Sequence, residues 1–210
     1  KLQRVVIGHR ILKTVGLTEA SLWEKFGPVD PLEKLVTVAS LPSYLEVKIR
    51  LSCCSESLEK VENRLKESEN MVMASVGDWV YGKDSETLEG IVGDLLRKKK
   101  LTLGIAESCT GGLVSHRMTQ VAGSSDYFLE GIVAYSNESK INHLEVMPSL
   151  LLECGAVSER VALAMAKGIR KKSGASIGLS VTGVAGPGAS ENKPVGTVFI
   201  AIDDGKKSHC

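Results

Sequence analysis

The stretch Leu101-Thr102-Leu103-Gly104-Ile105-Ala106-Glu107-Ser108-Cys109-Thr110-Gly111-Gly112 decides the fold class. Leu101 to Ala106 reads as an apolar strand and Gly112 to Val121 as a helix, with small polar residues and two glycines between them. This is the strand–turn–helix unit of an α/β sheet, where ligands bind beyond the carboxyl ends of the strands. The helix start offers free N–H groups and about half a positive charge, and paired glycines let a ligand come close to the backbone. The stretch lacks the lysine of a Walker loop and is not a G-x-G-x-x-G fingerprint.

Working outward, the same alternation continues. Gly131 to Tyr135 reads as a strand. Pro148 opens a short helix that Gly155 ends. Ser158 caps a helix whose inner stripe is Val161, Ala164, Met165, Gly168 and Ile169. Ile177–Val181 and Val195–Ile202 read as strands buried on both faces, and Asp204-Gly205 is a hairpin turn signal. The expected architecture is a three-layer α/β/α domain. On its N-terminal side, Asp84 or Ser85 caps a helix with Leu88, Ile91, Val92, Leu95 and Leu96 on one face. Arg97-Lys98-Lys99-Lys100 closes it where cations suit the helix dipole.

Before that helix, Leu35–Val38 and Leu45–Leu51 alternate with period two, Leu58, Val61 and Leu65 have helical spacing, and Met71–Val76 reads as a strand. This predicts a smaller α+β module, preceded by a segment with no clear pattern. The expected division is 1–82 and 83–210. Both ends read as cut, so a fragment of a longer protein is expected.

The chain has 210 residues, 43% hydrophobic and 24% charged, which is globular composition. A net charge of +1 gives no electrostatic footprint for nucleic acid or an anionic membrane. Apolar runs fall short of a membrane span, and no signal peptide opens the chain, so the expected setting is the cytoplasm. Five cysteines without C-x-x-C spacing and four scattered histidines predict neither a disulfide framework nor a metal site.

Three clusters carry candidate chemistry. The first is Ala106 to Gly112, whose helix start and paired glycines suit an anion or a developing oxyanion, or otherwise form a glycine-rich turn capped by Ser108 or Thr110. The second joins Gly123-Ser124-Ser125 to Tyr135-Ser136-Asn137-Glu138-Ser139-Lys140, where tyrosine, serine and lysine can form a proton-transfer group. The third is Thr182-Gly183-Val184-Ala185-Gly186-Pro187-Gly188, a glycine-rich anion nest after an apolar strand. All three fall where one α/β active site would assemble.

Together with Gly155-Ala156-Val157-Ser158 and Lys193-Pro194-Val195-Gly196-Thr197-Val198, these motifs closely resemble the CinA family. From about residue 86 the chain looks like the C-terminal domain, whose associated activity is nicotinamide mononucleotide deamidation. Residues 1–80 resemble the linker and KH-like middle domain. Nothing in these 210 residues resembles the family's N-terminal domain, which is similar to molybdopterin-binding proteins and associated with ADP-ribose pyrophosphatase activity. The family's C-terminal domain also runs on to a Gly-Asp-Arg motif whose arginine is expected near the substrate phosphate.

The resemblance implies an amidohydrolase that converts nicotinamide mononucleotide to nicotinate mononucleotide and ammonia, without cofactor or metal. Its partner is a small-molecule nucleotide, not nucleic acid or membrane, and a homodimer is the expected assembly. Amide hydrolysis needs a nucleophile, a base, an oxyanion site and a proton for the departing amine. Ser108 is the preferred nucleophile and Ser125 its rival. Lys140 is the base, with Tyr135 relaying or orienting the proton and Glu107 as the alternative base. Thr110, Gly111, Gly112, Thr182, Gly183 and Gly186 are the substrate-binding candidates. A Cys109 thiolate and a non-catalytic nucleotide-sensing module remain alternatives.

Overall fold

The computed structural model describes residues 5–43, 46–189 and 191–210. The chain divides into two compact units, Lys1–Ile91 and Val92–Cys210.

The first unit begins with β1 (Val6–Val15), α1 (Glu19–Phe26) and a single turn, α2 (Asp30–Glu33). Thr18 and Ser21 form a reciprocal capping box that starts α1. β2 (Thr37–Ser43), β3 (Glu46–Ser55), α3 (Leu58–Val76) and β4 (Val80–Lys83) follow. Leu45, included in the expected second strand, lies outside the described residues. The antiparallel sheet has the order β2-β3-β1-β4. Leu12, Val47, Ile49 and Leu51 from the sheet pack with Val61, Leu65, Val72 and Val76 of α3 and with Leu22 and Phe26 of α1.

Two expectations are corrected here. Met71–Val76 is the end of α3, not a strand. Ser68 lies on the inner face of α3, satisfied by Arg64 O at 2.7 Å, and this interrupts the apolar spacing that would have carried the helix through to Val76. The unassigned segment contains β1. Its helix-facing residues include Gly8, where a Cβ would stand 2.4 Å from Val61, and Thr14, whose hydroxyl donates to Val47 O at 2.8 Å, so the inner row is not apolar.

The helix α4 (Leu88–Lys99) spans the junction of the two units. Its first turn is capped by Thr87, whose Oγ1 accepts from Gly90 N at 3.1 Å, rather than by Asp84 or Ser85. Asp84 serves β1 instead, accepting from Ile11 N at 2.9 Å.

The second unit continues with β5 (Leu103–Glu107), α5 (Leu113–Thr119), β6 (Phe128–Val133), α6 (Asn137–Leu144), α7 (Pro148–Cys154), α8 (Glu159–Ser173), β7 (Ile177–Gly183), β8 (Val198–Asp203) and β9 (Ser208–His209). The sheet order is β6-β5-β7-β8-β9, with β6, β5 and β7 parallel and β8 and β9 antiparallel. Leu103 and Ile105 face Leu96, Met118 and Tyr127 on the α4–α5 side. Ala106 faces Met165, Ile169 and Leu144 on the α6–α8 side. Helices on both faces of a mainly parallel sheet make the three layers. Burying Met165 and Ile169 contributes about 2–3 kcal/mol each.

The α8 backbone lies close against the sheet. Gly104 and Gly178 pair side by side on β5 and β7, and a Cβ on Gly178 would stand 2.0 Å from Ala166 O. Val198–Asp203 departs from the expected doubly buried strand. Val198, Ile200 and Ile202 are exposed while Ala201 and Asp203 are buried, the alternation of an antiparallel strand covered on one face.

Candidate active site

β5 ends at Glu107, and the main chain turns immediately. Ser108 N still donates to Val181 O at 2.9 Å, which ties the start of the turn to β7. Gly111 and Gly112 have φ of +61° and +100°, left-handed values that side chains disfavour, and they complete the turn into α5. No side chain caps α5 from its own N-cap position, which is Gly112. The buried Glu107 carboxylate does so from behind, accepting from Gly112 N at 3.1 Å, Val114 N at 3.0 Å and Ser115 N at 2.8 Å, and from Ser115 Oγ at 2.7 Å. Burial alone would raise its carboxyl. Hydrogen bonding from Ser115 and Val114, with the nearby Thr110 hydroxyl, outweighs burial and holds the group below its ordinary value. Thr110 Oγ1 itself is buried without a hydrogen bond of normal geometry. Glu107 is therefore a carboxylate with its acceptor capacity committed to the turn.

One layer over, Ser136 caps α6 by accepting from Ser139 N at 3.0 Å, and the first turn of that helix delivers Lys140 inward. Lys140 is 1% exposed. Its Nζ donates to Ala134 O at 2.9 Å, to Tyr135 O at 3.0 Å and to Ser108 Oγ at 3.0 Å. Burial pulls its pKa down from the ordinary lysine value, while Glu191 and Cys109 pull it partly back. Two carbonyl acceptors fix two of the amine's positions, so the third faces the Ser108 hydroxyl whichever of the two holds the proton.

Ser108, Cys109, Tyr135, Lys140, Thr182, Gly183, Gly186 and Glu191 line one cavity of about 230 Å³ at the carboxyl ends of β5 and β7. Thr182 is buried, and its hydroxyl donates to Ala156 O at 2.9 Å. Gly183 is packed on both sides, since a Cβ there would stand 2.7 Å from Thr197 O and 3.0 Å from Cys109 Sγ. Burial pushes the Cys109 thiol up, and the N–H groups of Cys109 and Thr110 and the charge of Lys140 only partly counter this.

The structure thus brings together Ser108, Lys140, Tyr135, Thr182, Gly183 and Gly186, and it separates the others. Ser125 sits in a single 3-10 turn, Ser124–Asp126, just before β6. Leu103 pairs with Phe128 at the start of both strands, so Ser125 belongs to the N-terminal end of the parallel sheet, opposite the cavity. Thr110, Gly111 and Gly112 shape the turn rather than face the cavity; Gly111 N donates to Ser108 O at 3.1 Å and Gly112 N to Glu107. Tyr135 touches Lys140 through its carbonyl oxygen, while its side chain is 69% exposed at the rim. The sequence reading missed Glu191. Its only signal was an acidic residue beside the Lys193-Pro194-Val195-Gly196 motif. Among the described residues, no three or more His, Cys, Asp or Glu stand close enough to hold a metal ion. No described helix is long and apolar enough to cross a membrane.

Comparison with known families matches the CinA C-terminal domain over residues 85–210 and the damage-inducible protein CinA KH domain over residues 9–82. The chain belongs to the CinA family. A putative competence-damage inducible protein of Moorella thermoacetica is 44% identical over 202 residues, covering 96% of this chain and 49% of that protein. A CinA-like protein of Cytophaga hutchinsonii is 43% identical over 209 residues, covering 99% of this chain and 50% of the relative. The chain therefore spans about half the length of these CinA relatives. Among solved structures, a CinA superfamily protein of Escherichia coli superposes with a TM-score of 0.57 at 30% identity, covering 58% of this chain and 72% of that one. A competence/damage inducible protein of Agrobacterium tumefaciens gives 0.55 at 39% identity, covering 58% and 76%.

Proposed function

We propose that the second unit is a serine amidohydrolase that converts nicotinamide mononucleotide to nicotinate mononucleotide and ammonia. The observation that carries this reading is the 3.0 Å contact between Lys140 Nζ and Ser108 Oγ, made by a buried lysine whose other two partners are main-chain carbonyls. A neutral Lys140 keeps its two N–H groups on those carbonyls and turns its lone pair to the Ser108 hydroxyl. Ser108 Oγ attacks the carboxamide carbon and its proton passes to Lys140. The ammonium then returns that proton to the departing nitrogen, and water releases the nicotinate from the seryl ester by the reverse transfers.

The remaining residues support these steps. The N–H of Cys109, which lines the cavity next to Ser108, is a main-chain donor available to a developing oxyanion. Thr182 and the Gly183–Gly186 segment form the wall facing the nucleophile. Tyr135 orients Lys140 through its carbonyl and offers its exposed ring at the rim to a flat pyridinium. The amide-hydrolysing chemistry of these groups needs no cofactor. Glu107 is not the base, because its oxygens are occupied and its carboxyl is held low.

The test is ammonia release from nicotinamide mononucleotide, against free nicotinamide as the competing amide, by this chain and by the longer protein that contains it. Release of one ammonia per nicotinate mononucleotide formed is expected. Tight nucleotide binding by a folded protein that releases no ammonia would instead make the unit a nucleotide sensor.

A further inference from the structure

Among the described residues, Glu191 is the one carboxylate lining the cavity. We propose that Glu191 is a positioning residue, which clamps the connection between β7 and β8 onto the turn before α8 and so builds the outer wall of the cavity beside Lys140. The proposal rests on the amidohydrolase reading for its kinetic readout and on geometry for the clamp itself.

Glu191 Oε1 accepts from Ala156 N at 2.8 Å and Oε2 from Val157 N at 3.0 Å. Gly155 makes room for this carboxylate, since a Cβ there would stand 2.3 Å from Glu191 Oε2. The same turn is held from the strand side by the bond from Thr182 Oγ1 to Ala156 O. Helix α8 does not need the carboxylate, because Ser158 already caps it by accepting from Val161 N at 3.3 Å. What the two charge-assisted bonds secure is the connection, which carries Gly186, Gly188 and Gly196 and would otherwise keep much of its freedom. The Gly155-Ala156-Val157-Ser158 motif thereby acquires a role, as the fixed post to which the wall is tied.

The groups that surround Lys140 come from three segments. Glu191, with Lys193 3.8 Å away from it, lies on the connection; Ser108 and Cys109 lie on the turn after β5, with Glu107 at the end of that strand acting on Cys109; and Tyr135 precedes α6. The Glu191 charge favours the ammonium form of Lys140. Without that charge, the neutral base forms at lower pH.

The experiment compares Glu191→Ala and Glu191→Gln by amide hydrogen exchange, limited proteolysis and steady-state kinetics across pH. In Glu191→Ala, the Ala156 and Val157 amides should exchange faster and the connection between β7 and β8 should be cut by a protease of broad specificity such as proteinase K. KM should rise on the order of tenfold with a smaller loss of kcat, and the rising limb of kcat/KM should move to lower pH. Glu191→Gln keeps an acceptor oxygen, so it should recover part of the protection and of KM yet keep the displaced pH limb. Parental exchange and KM in Glu191→Ala would overturn the clamp. An unmoved pH limb in both variants would overturn its placement beside Lys140. If the parent protein releases no ammonia, the amidohydrolase reading alone fails, and exchange and proteolysis still decide the clamp.

Discussion

Glu107 and Ser115 are joined twice: the backbone N–H and the hydroxyl of Ser115 both donate to Glu107 Oε1, at 2.8 Å and 2.7 Å. With two further N–H groups on Oε2, one buried carboxylate holds the end of β5 to the start of α5, and the turn that carries Ser108 is strung between them. Glu107→Gln should cost about 2–4 kcal/mol of stability, because an amide leaves donors facing donors in a buried site. The folded carboxyl titrates below its ordinary value of 4.5, so its contribution is present above that value and is lost as pH falls through the lower, folded one. Urea unfolding of the two proteins between about pH 7 and pH 3 checks this; curves that stay parallel throughout would contradict it.

Two neighbouring candidate nucleophiles, Ser108 and Cys109, can be told apart by substitution. Ser108→Ala should lower kcat by roughly a thousandfold or more with little change in unfolding midpoint. Cys109→Ala should keep most turnover, since the Cys109 thiol is held in its protonated form by burial. Single-turnover ammonia release decides between them, and the reverse pattern would transfer the nucleophile's role to the thiol.

Lys140 has a signature in stability as well as in rate. Its folded pKa lies below the ordinary 10.5, so between the two values the unfolded chain holds more proton and stability rises with pH across that window. Lys140→Met has no such rise. The stability difference, parent minus variant, should therefore grow as pH rises toward 10.5 in urea titrations. A constant difference would mean that the lysine is charged in the fold throughout, which is incompatible with its acting as the base.

Limited proteolysis bears on the organisation of the chain. Residues 83–88, between β4 and the body of α4, are all exposed. A glutamate-specific protease should cut first at Glu86 and leave two resistant fragments. A first cut inside β5–β7 would contradict two separately folded units.

How much of this was legible in the sequence depended on whether a face was apolar. The run at Leu101–Ala106 and the stripe Val161, Met165, Ile169 announced β5 and α8 because their buried neighbours are hydrocarbon. β1 and the second half of α3 were hidden for the opposite reason. Their inner faces hold Gly8, Thr14 and Ser68, a glycine beneath a helix and two hydroxyls bonded to carbonyls, which no hydropathy pattern announces. In the cavity, Ser108 and Thr182 were legible from their position at strand ends, whereas Lys140 stood out only through the family motifs around it. The work done by Glu107, and the contact of Glu191 with a turn 34 and 35 residues away, depend on tertiary approach and left no local trace.

The glycine rung beneath α8 has a further consequence. Where a Cβ on Gly178 would stand 2.0 Å from Ala166 O, helix and sheet meet main chain to main chain, with no rotamers between them to loosen. Warming should therefore not soften this contact by degrees, as it softens a layer of leucines. β5 leads directly into the Ser108 turn, and β7 holds that turn through Val181. The position of the Ser108 turn is consequently set by the stiffness of the backbone slab, and it should persist nearly unchanged until the layers part in a single cooperative step.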